Sequence, residues 1–116
     1  MTLSLIYDFT GNVNVTKVIP AAELVTEQWF LDAINYPETI DLFLLIGHNP
    51  VRDSTFTLVH DTIRKARPEI PIQIFGGHTH IRDLVVYDDM SVGLESGMLE
   101  SGFSRCRSNN FARPLL

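Results

Sequence analysis

Apolar positions along the chain fall into runs of two kinds, and the switches between them mark out the elements. Leu3 to Tyr7 reads as a short strand, closed by the turn-like Asp8-Phe9-Thr10-Gly11-Asn12. Thr16 to Ile19 reads as a second extended piece that stops at Pro20. Helical spacing then takes over from about Ala21 to Ile34, with Leu24, Trp29, Phe30, Ala33 and Ile34 on one stripe. Pro20 suits the opening turn of that helix, and Glu23 and Glu27 lie near its start, where negative charge is favoured.

Asn35-Tyr36-Pro37-Glu38 breaks the helix, and Leu42 to Ile46 follows as an apolar run of the kind found in strands covered on both faces. Asp53 or Ser54 can cap a helix over Thr55 to Ala66, whose buried face is marked by Phe56, Val59 and Ile63. Arg64 and Lys65 stand where the helix dipole favours cations, and Pro68 ends the element. Ile70 to Phe75 is the next strand, and Leu84 to Tyr87 with Val92 to Leu94 forms a hairpin across Asp88-Asp89-Met90-Ser91. From Ser101 onward periodicity is lost. The order β–α–β–α–β–β predicts a layered α/β domain over residues 1–100, followed by an irregular tail over 101–116.

Composition narrows the classes. A chain of 116 residues, 45% of them hydrophobic, suits one domain with a modest core. Its formal charge is −5, and no basic tract interleaves with aromatics, so nucleic acid is not an expected partner. The single cysteine, Cys106, excludes an intrachain disulfide. The first residues show no basic start with a long apolar run, so neither a signal peptide nor a membrane partner is expected.

Candidate chemistry sits at the ends of two strand-like runs. Gly47-His48-Asn49-Pro50 follows the first and Gly76-Gly77-His78-Thr79-His80 the second. Ligands of α/β folds gather at the carboxyl edge of parallel strands, and imidazoles there can bind Zn²⁺, Mn²⁺ or Fe. The candidate metal ligands are therefore His48, His78 and His80. In an extended stretch His78 and His80 project to one side, roughly 6.5 Å apart along the chain. Ions of two-metal hydrolases lie about 3.5–4 Å apart, so the two histidines can hold different ions or chelate one.

The preceding glycines spare bulk where a backbone passes close. His60, inside a helix beside Val59 and Ile63, reads as structural. A cap, a strand start and a turn account for Asp53, Asp83, Asp88 and Asp89, and Arg52 can either face a phosphate or lie exposed. Ser54 and Ser96 have no evident base, which argues against a serine nucleophile.

A strand with Gly-His-Asn-Pro, then a strand with Gly-Gly-His-Thr-His thirty residues on, resembles the calcineurin-like metallophosphoesterases. The closer likeness is to their 5′-nucleotidase-like branch, fungal members in particular. Asp8-Phe9-Thr10-Gly11-Asn12, Glu27-Gln28-Trp29-Phe30 and Leu94-Glu95-Ser96-Gly97 share it, so the resemblance runs from about residue 3 to about residue 97. It implies an αββα sandwich with two divalent ions, zinc, manganese or iron, and hydrolysis of nucleoside monophosphates or related phosphoesters. By position, His48 and His78 match ligands of one ion and His80 a ligand of the other.

The family's Asp-X-His, Gly-Asp-X-X-Asp and Gly-Asn-His-Glu or Asp motifs do not occur in this sequence. These supply the bridging carboxylate, most ligands of the first ion and the histidine that protonates the leaving group. The resemblance thus implies the C-terminal half of a catalytic domain, inactive by itself and binding a phosphoester only when completed. The alternatives are a non-catalytic metal-binding or partner-complemented fragment, and a small α/β interaction domain with structural histidines.

Overall fold

The computed structural model describes residues 1–7, 9 and 15–97. The segment after Ser101 and most of the turn at Asp8–Asn12 lie outside the described residues. The chain runs β1 (Thr2–Leu5), α1 (Ala21–Leu24), α2 (Gln28–Ile34), β2 (Phe43–Gly47), α3 (Ser54–Ala66), β3 (Ile72–Gly76), β4 (Arg82–Asp88) and β5 (Ser91–Ser96). The strands form one five-stranded sheet in the order β1-β2-β3-β5-β4. Neighbours are parallel except the β4–β5 hairpin, which is antiparallel and places β4 at the edge. The α/β class is that expected from the sequence, and the structure adds one strand to the β–α–β–α–β–β order.

Two expectations are revised. The helix foreseen over Ala21 to Ile34 is two helices, separated at Val25–Glu27. Thr26 explains the break: its hydroxyl donates to the Glu23 carbonyl at 2.7 Å, and its own N–H also turns to Glu23. A side chain that competes for backbone acceptors, beside β-branched Val25, weakens a helix interior. Glu27 then adopts an extended ψ of 133° and restarts the chain as α2. Thr16 to Ile19 joins no strand of the sheet.

The core lies between the helices and one face of the sheet. Phe30 and Ile34 of α2, and Phe56, Val59 and Ile63 of α3, meet Phe43, Leu45, Ile72 and Ile74 of the central strands. Asp53 starts α3 by accepting the Thr55 N–H at 2.7 Å. At the far end Arg64 donates to the carbonyls of Arg67, Pro68 and Ile70 at 3.2, 3.0 and 2.8 Å. Those acceptors have no partner within the helix, so the guanidinium satisfies them.

The opposite face is different. Strand pairing aligns Ile46, Phe75, Leu94 and Leu84 in one row and Leu44, Gln73, Val92 and Val86 in the next. Of these, Ile46, Phe75, Leu84 and Val86 are exposed. The apolar run at Leu42 to Ile46 pointed to a strand covered on both faces, and the described residues cover one. No helix among them is long and apolar enough to cross a membrane.

Candidate functional site

His48 and His78 each follow the carboxyl end of a strand, and β2 and β3 are parallel neighbours. Parallel pairing in register carries both loops to the same rim of the sheet. There His78 Nδ1 lies 3.2 Å from His48 Nε2, with the rings 5.0 Å apart edge to face. Tyr7, beyond the end of β1, stacks on His78 at 4.2 Å with only 9° between the planes. Three adjacent strand ends thus converge on one aromatic stack.

Glycines permit the approach. A Cβ on Gly76 would stand 2.6 Å from the Asn49 carbonyl oxygen and 2.6 Å from Val51, both too close for any side chain. The Gly77 N–H donates to that same carbonyl at 2.9 Å, so the two histidine loops are joined backbone to backbone. Asn49 itself is fully buried, and its side-chain amide has no hydrogen-bond partner among the described residues.

The second loop is not extended. His78 and His80 have φ of 83° and 60°, left-handed values uncommon in residues with a side chain. The regular alternation that would point both rings to one side therefore does not apply. Thr79 between them is held by Glu95: its N–H donates to Oε1 at 2.9 Å, and its hydroxyl donates to the same oxygen. The Thr79 oxygen in turn accepts the Ile81 N–H at 3.1 Å. Glu95 Oε2 accepts the Val51 N–H at 3.4 Å, from the other loop. Glu95 is only 3% exposed.

The structure brings His48 and His78 together. His80 is exposed, and no hydrogen bond or ring contact engages its side chain among the described residues. Among these residues, no group of three or more His, Cys, Asp or Glu is arranged to hold an ion. The two imidazole nitrogens nevertheless suit one cation. Nitrogens bound to a single tetrahedral ion at about 2.0–2.1 Å lie roughly 3.3 Å from each other.

The remaining candidates have structural partners. Arg52 pairs with Asp83 through two contacts of 2.6 and 2.8 Å, so the arginine that follows the His48 loop is engaged at the head of β4. That hydrogen bond holds the Asp83 carboxyl below its ordinary range, against the opposing desolvation. Asp88 accepts the Met90 N–H at 2.8 Å in the hairpin turn. His60 is buried, with Nδ1 2.9 Å from Asp61 and Nε2 3.0 Å from both Asp88 and Ser91. Arg64 completes this cluster with bonds to Asp88 at 2.8 Å and Ser91 at 2.7 Å. Tyr87 stacks on His60 and donates its hydroxyl to the Val51 carbonyl; burial pushes its pKa up to about 12.

No family model matches the chain. A solved structure does: the crystal structure of 5′-nucleotidase from Candida albicans superposes with a TM-score of 0.77 at 39% identity, over 83% of this chain and 18% of that one. The fold is 5′-nucleotidase-like. The five-stranded sheet and its helices match part of the sandwich in that neighbour. Among curated proteins, a secreted protein of Arthroderma benhamiae is 50% identical over 101 residues, and an uncharacterised protein of Schizosaccharomyces pombe is 46% identical over 98. Each match takes in 84% of this chain but only 15% and 16% of the relative. The chain therefore spans about a sixth of the length of these relatives.

Sequence reasoning gave no role to two residues of this rim, Tyr7 and Glu95, although Glu95 lies in a segment that carried the resemblance. Tyr7 carries no local signal, because its role depends on β1 lying beside β2. Glu95 had one: it shares the inward-facing register of β5 with Ser91 and Gly93, where a lone charged residue calls for partners.

Proposed function

We propose that the chain is the histidine-loop portion of a metal-dependent phosphoester hydrolase of 5′-nucleotidase type, the substrates being nucleoside monophosphates or related phosphoesters. One observation carries this reading: His48 Nε2 and His78 Nδ1 face each other at 3.2 Å on a strand-end rim of a 5′-nucleotidase-like fold. The two rings would hold one divalent ion, zinc, manganese or iron, and His80 a second ion together with ligands beyond the described residues. A bound divalent ion supplies charge for a phosphoryl oxygen and lowers the pKa of a coordinated water.

In this reading the chain's own residues do three things. His48 and His78 present paired nitrogens, Tyr7 fixes the plane of the His78 ring, and the Asn49–Gly77 backbone bond locks the spacing of the loops. Turnover needs more ligands than these, so the chain alone is expected to bind metal without hydrolysing phosphoesters. Calorimetric titration of the purified chain with Zn²⁺ and Mn²⁺ tests this. One ion per chain, lost in the His48→Ala/His78→Ala double variant, supports the assignment; equal uptake by that variant overturns it. Hydrolysis of nucleoside monophosphates by the chain at an enzymatic rate would overturn the view that it lacks ligands.

The second reading is a non-catalytic metal-binding or partner-complemented fragment. It is favoured by the two facing nitrogens of His48 and His78, enough to hold one ion and too few to hold two. Turnover when a partner bearing the missing carboxylates is added decides for a complemented enzyme; metal uptake with no turnover under the same addition decides for the non-catalytic fragment.

A further inference from the structure

We infer that Glu95 is the positioning residue of the His48–His78 pair, a buried carboxylate that sets both histidine loops and acts on a metal only through them. The inference deepens the metal-site reading above and rests on it for its affinity readout. Register puts Glu95 beside Gly76, the last residue of β3 and one step before Gly77-His78. From there its two oxygens divide the work. Oε1 takes the N–H and hydroxyl of Thr79, between the two histidines of one loop, while Oε2 takes the N–H of Val51, three residues after His48 in the other. A single rigid carboxylate thus spans both loops.

Three features argue that this is more than packing. First, a buried carboxylate is costly unless hydrogen-bonded, and among the described residues no ion pair offsets it, only N–H and O–H dipoles. An apolar side chain would avoid that cost but would leave the Val51 and Thr79 N–H groups unpaired. Secondly, Thr79 is flanked by two residues at left-handed φ, and such backbone persists only where the surroundings over-determine it. The clamp from Glu95 supplies that constraint at the residue between them. Thirdly, no hydrogen bond joins Glu95 to either ring of the pair, and both its oxygens already hold other donors. It positions the ligands without being one.

The test compares the 116-residue chain with Glu95→Gln, Thr79→Val and Thr79→Ser. An amide has an acceptor on one side only, so Glu95→Gln can keep one loop and must release the other. Thr79→Val removes the hydroxyl of an exposed residue, and with it both the bond to Glu95 and the acceptor of the Ile81 N–H, and Thr79→Ser restores both. Two readouts are taken on each protein. In the metal-free chain, nuclear Overhauser contacts between the His48 and His78 rings report the pairing directly. Zinc titration then reports affinity.

Glu95→Gln and Thr79→Val are expected to lose the ring contacts and to weaken zinc binding about tenfold or more, the usual effect of removing a group that orients a ligand. Thr79→Ser is expected to recover both. Unchanged ring contacts with affinity within about twofold of the parent, in folded Glu95→Gln and Thr79→Val, would overturn the assignment. If Glu95→Gln does not fold, Thr79→Val and its serine rescue decide the matter. If the parent chain binds no zinc, the metal reading fails, and the ring contacts alone still decide the role of Glu95.

Discussion

His60 and the His48–His78 pair show two uses of the same side chain in one small fold. The His60 side chain is 6% exposed and both of its nitrogens meet oxygen partners, on Asp61 at one end and on Asp88 and Ser91 at the other. His48 and His78 are exposed, and their nitrogens meet each other. A buried imidazole between carboxylates is a finished structure: every polar atom is satisfied and the ring packs on Tyr87. Two exposed imidazoles aimed nitrogen to nitrogen, with a single stack on Tyr7 as packing, leave their facing nitrogens open to a cation. Partners, more than residue type or loop position, separate the structural histidine from the proposed ligands.

The largest expected effect of breaking this contrast is at His60. His60→Ala removes hydrogen bonds to Asp88 and Ser91 and opens a cavity against Tyr87. A loss of about 2–3 kcal/mol follows from those two contributions. Urea unfolding of the variant against the parent chain measures it, through a lower midpoint with an unchanged slope.

Acid reaches the same cluster by another route. Burial alone would raise the Asp88 pKa, but hydrogen bonds from Arg64, the Met90 N–H and Ser91 outweigh it and hold the carboxyl well below its ordinary range. The folded pKa thus lies below the unfolded one. The resulting stability is fully present above pH ~4, the unfolded carboxyl range, and is lost as the pH falls below it. Stability measured from neutral pH downward is expected to show an acid limb that Asp88→Asn flattens while lowering stability at neutral pH. An acid limb unchanged in that variant would place the titration elsewhere.

Arg52 and Asp83 sharpen the contrast from the surface side. Their pair is bidentate but solvent-exposed, with 66% of the Arg52 side chain open to water. Exposed pairs contribute little and are screened by salt. Asp83→Asn is expected to change stability less than either cluster variant, and the small difference should vanish as salt is added.

How far the sequence revealed this arrangement follows from the range of each interaction. Phe56, Val59 and Ile63 recur at helical spacing and are all buried, because the face of α3 is a local property. The burial of His60 was legible for the same reason, since it shares that face. The division of α1 from α2 was missed because it turns on one hydroxyl at Thr26, which a hydrophobic stripe does not register. Gly-His at two strand ends pointed to a shared rim before any strand order was known. Tyr7 stacking on His78, and Glu95 spanning two loops, need the β1-β2-β3-β5 order and are contacts of the fold as a whole. The left-handed backbone at His78 and His80 left no mark either, since neither residue is glycine.

The smallest expected effect on stability is at the histidine pair itself. His48→Ala removes an exposed ring and the shared hydrogen bond, and His78→Ala removes the stack on Tyr7 as well, so thermal or urea unfolding should move by about 0.5 kcal/mol, slightly more for His78→Ala. The backbone bond from Gly77 to Asn49 and the Glu95 clamp do not pass through either side chain and remain in both variants. Zinc-induced stabilisation should vanish in the same proteins if these rings are the proposed ligands, because an ion bound only to the folded chain raises its stability by mass action. A large loss of metal-free stability in either variant would move that histidine to the structural side of the comparison. Near-silence without metal, together with complete loss of the zinc response, would leave the pair no part in the fold beyond presenting its nitrogens.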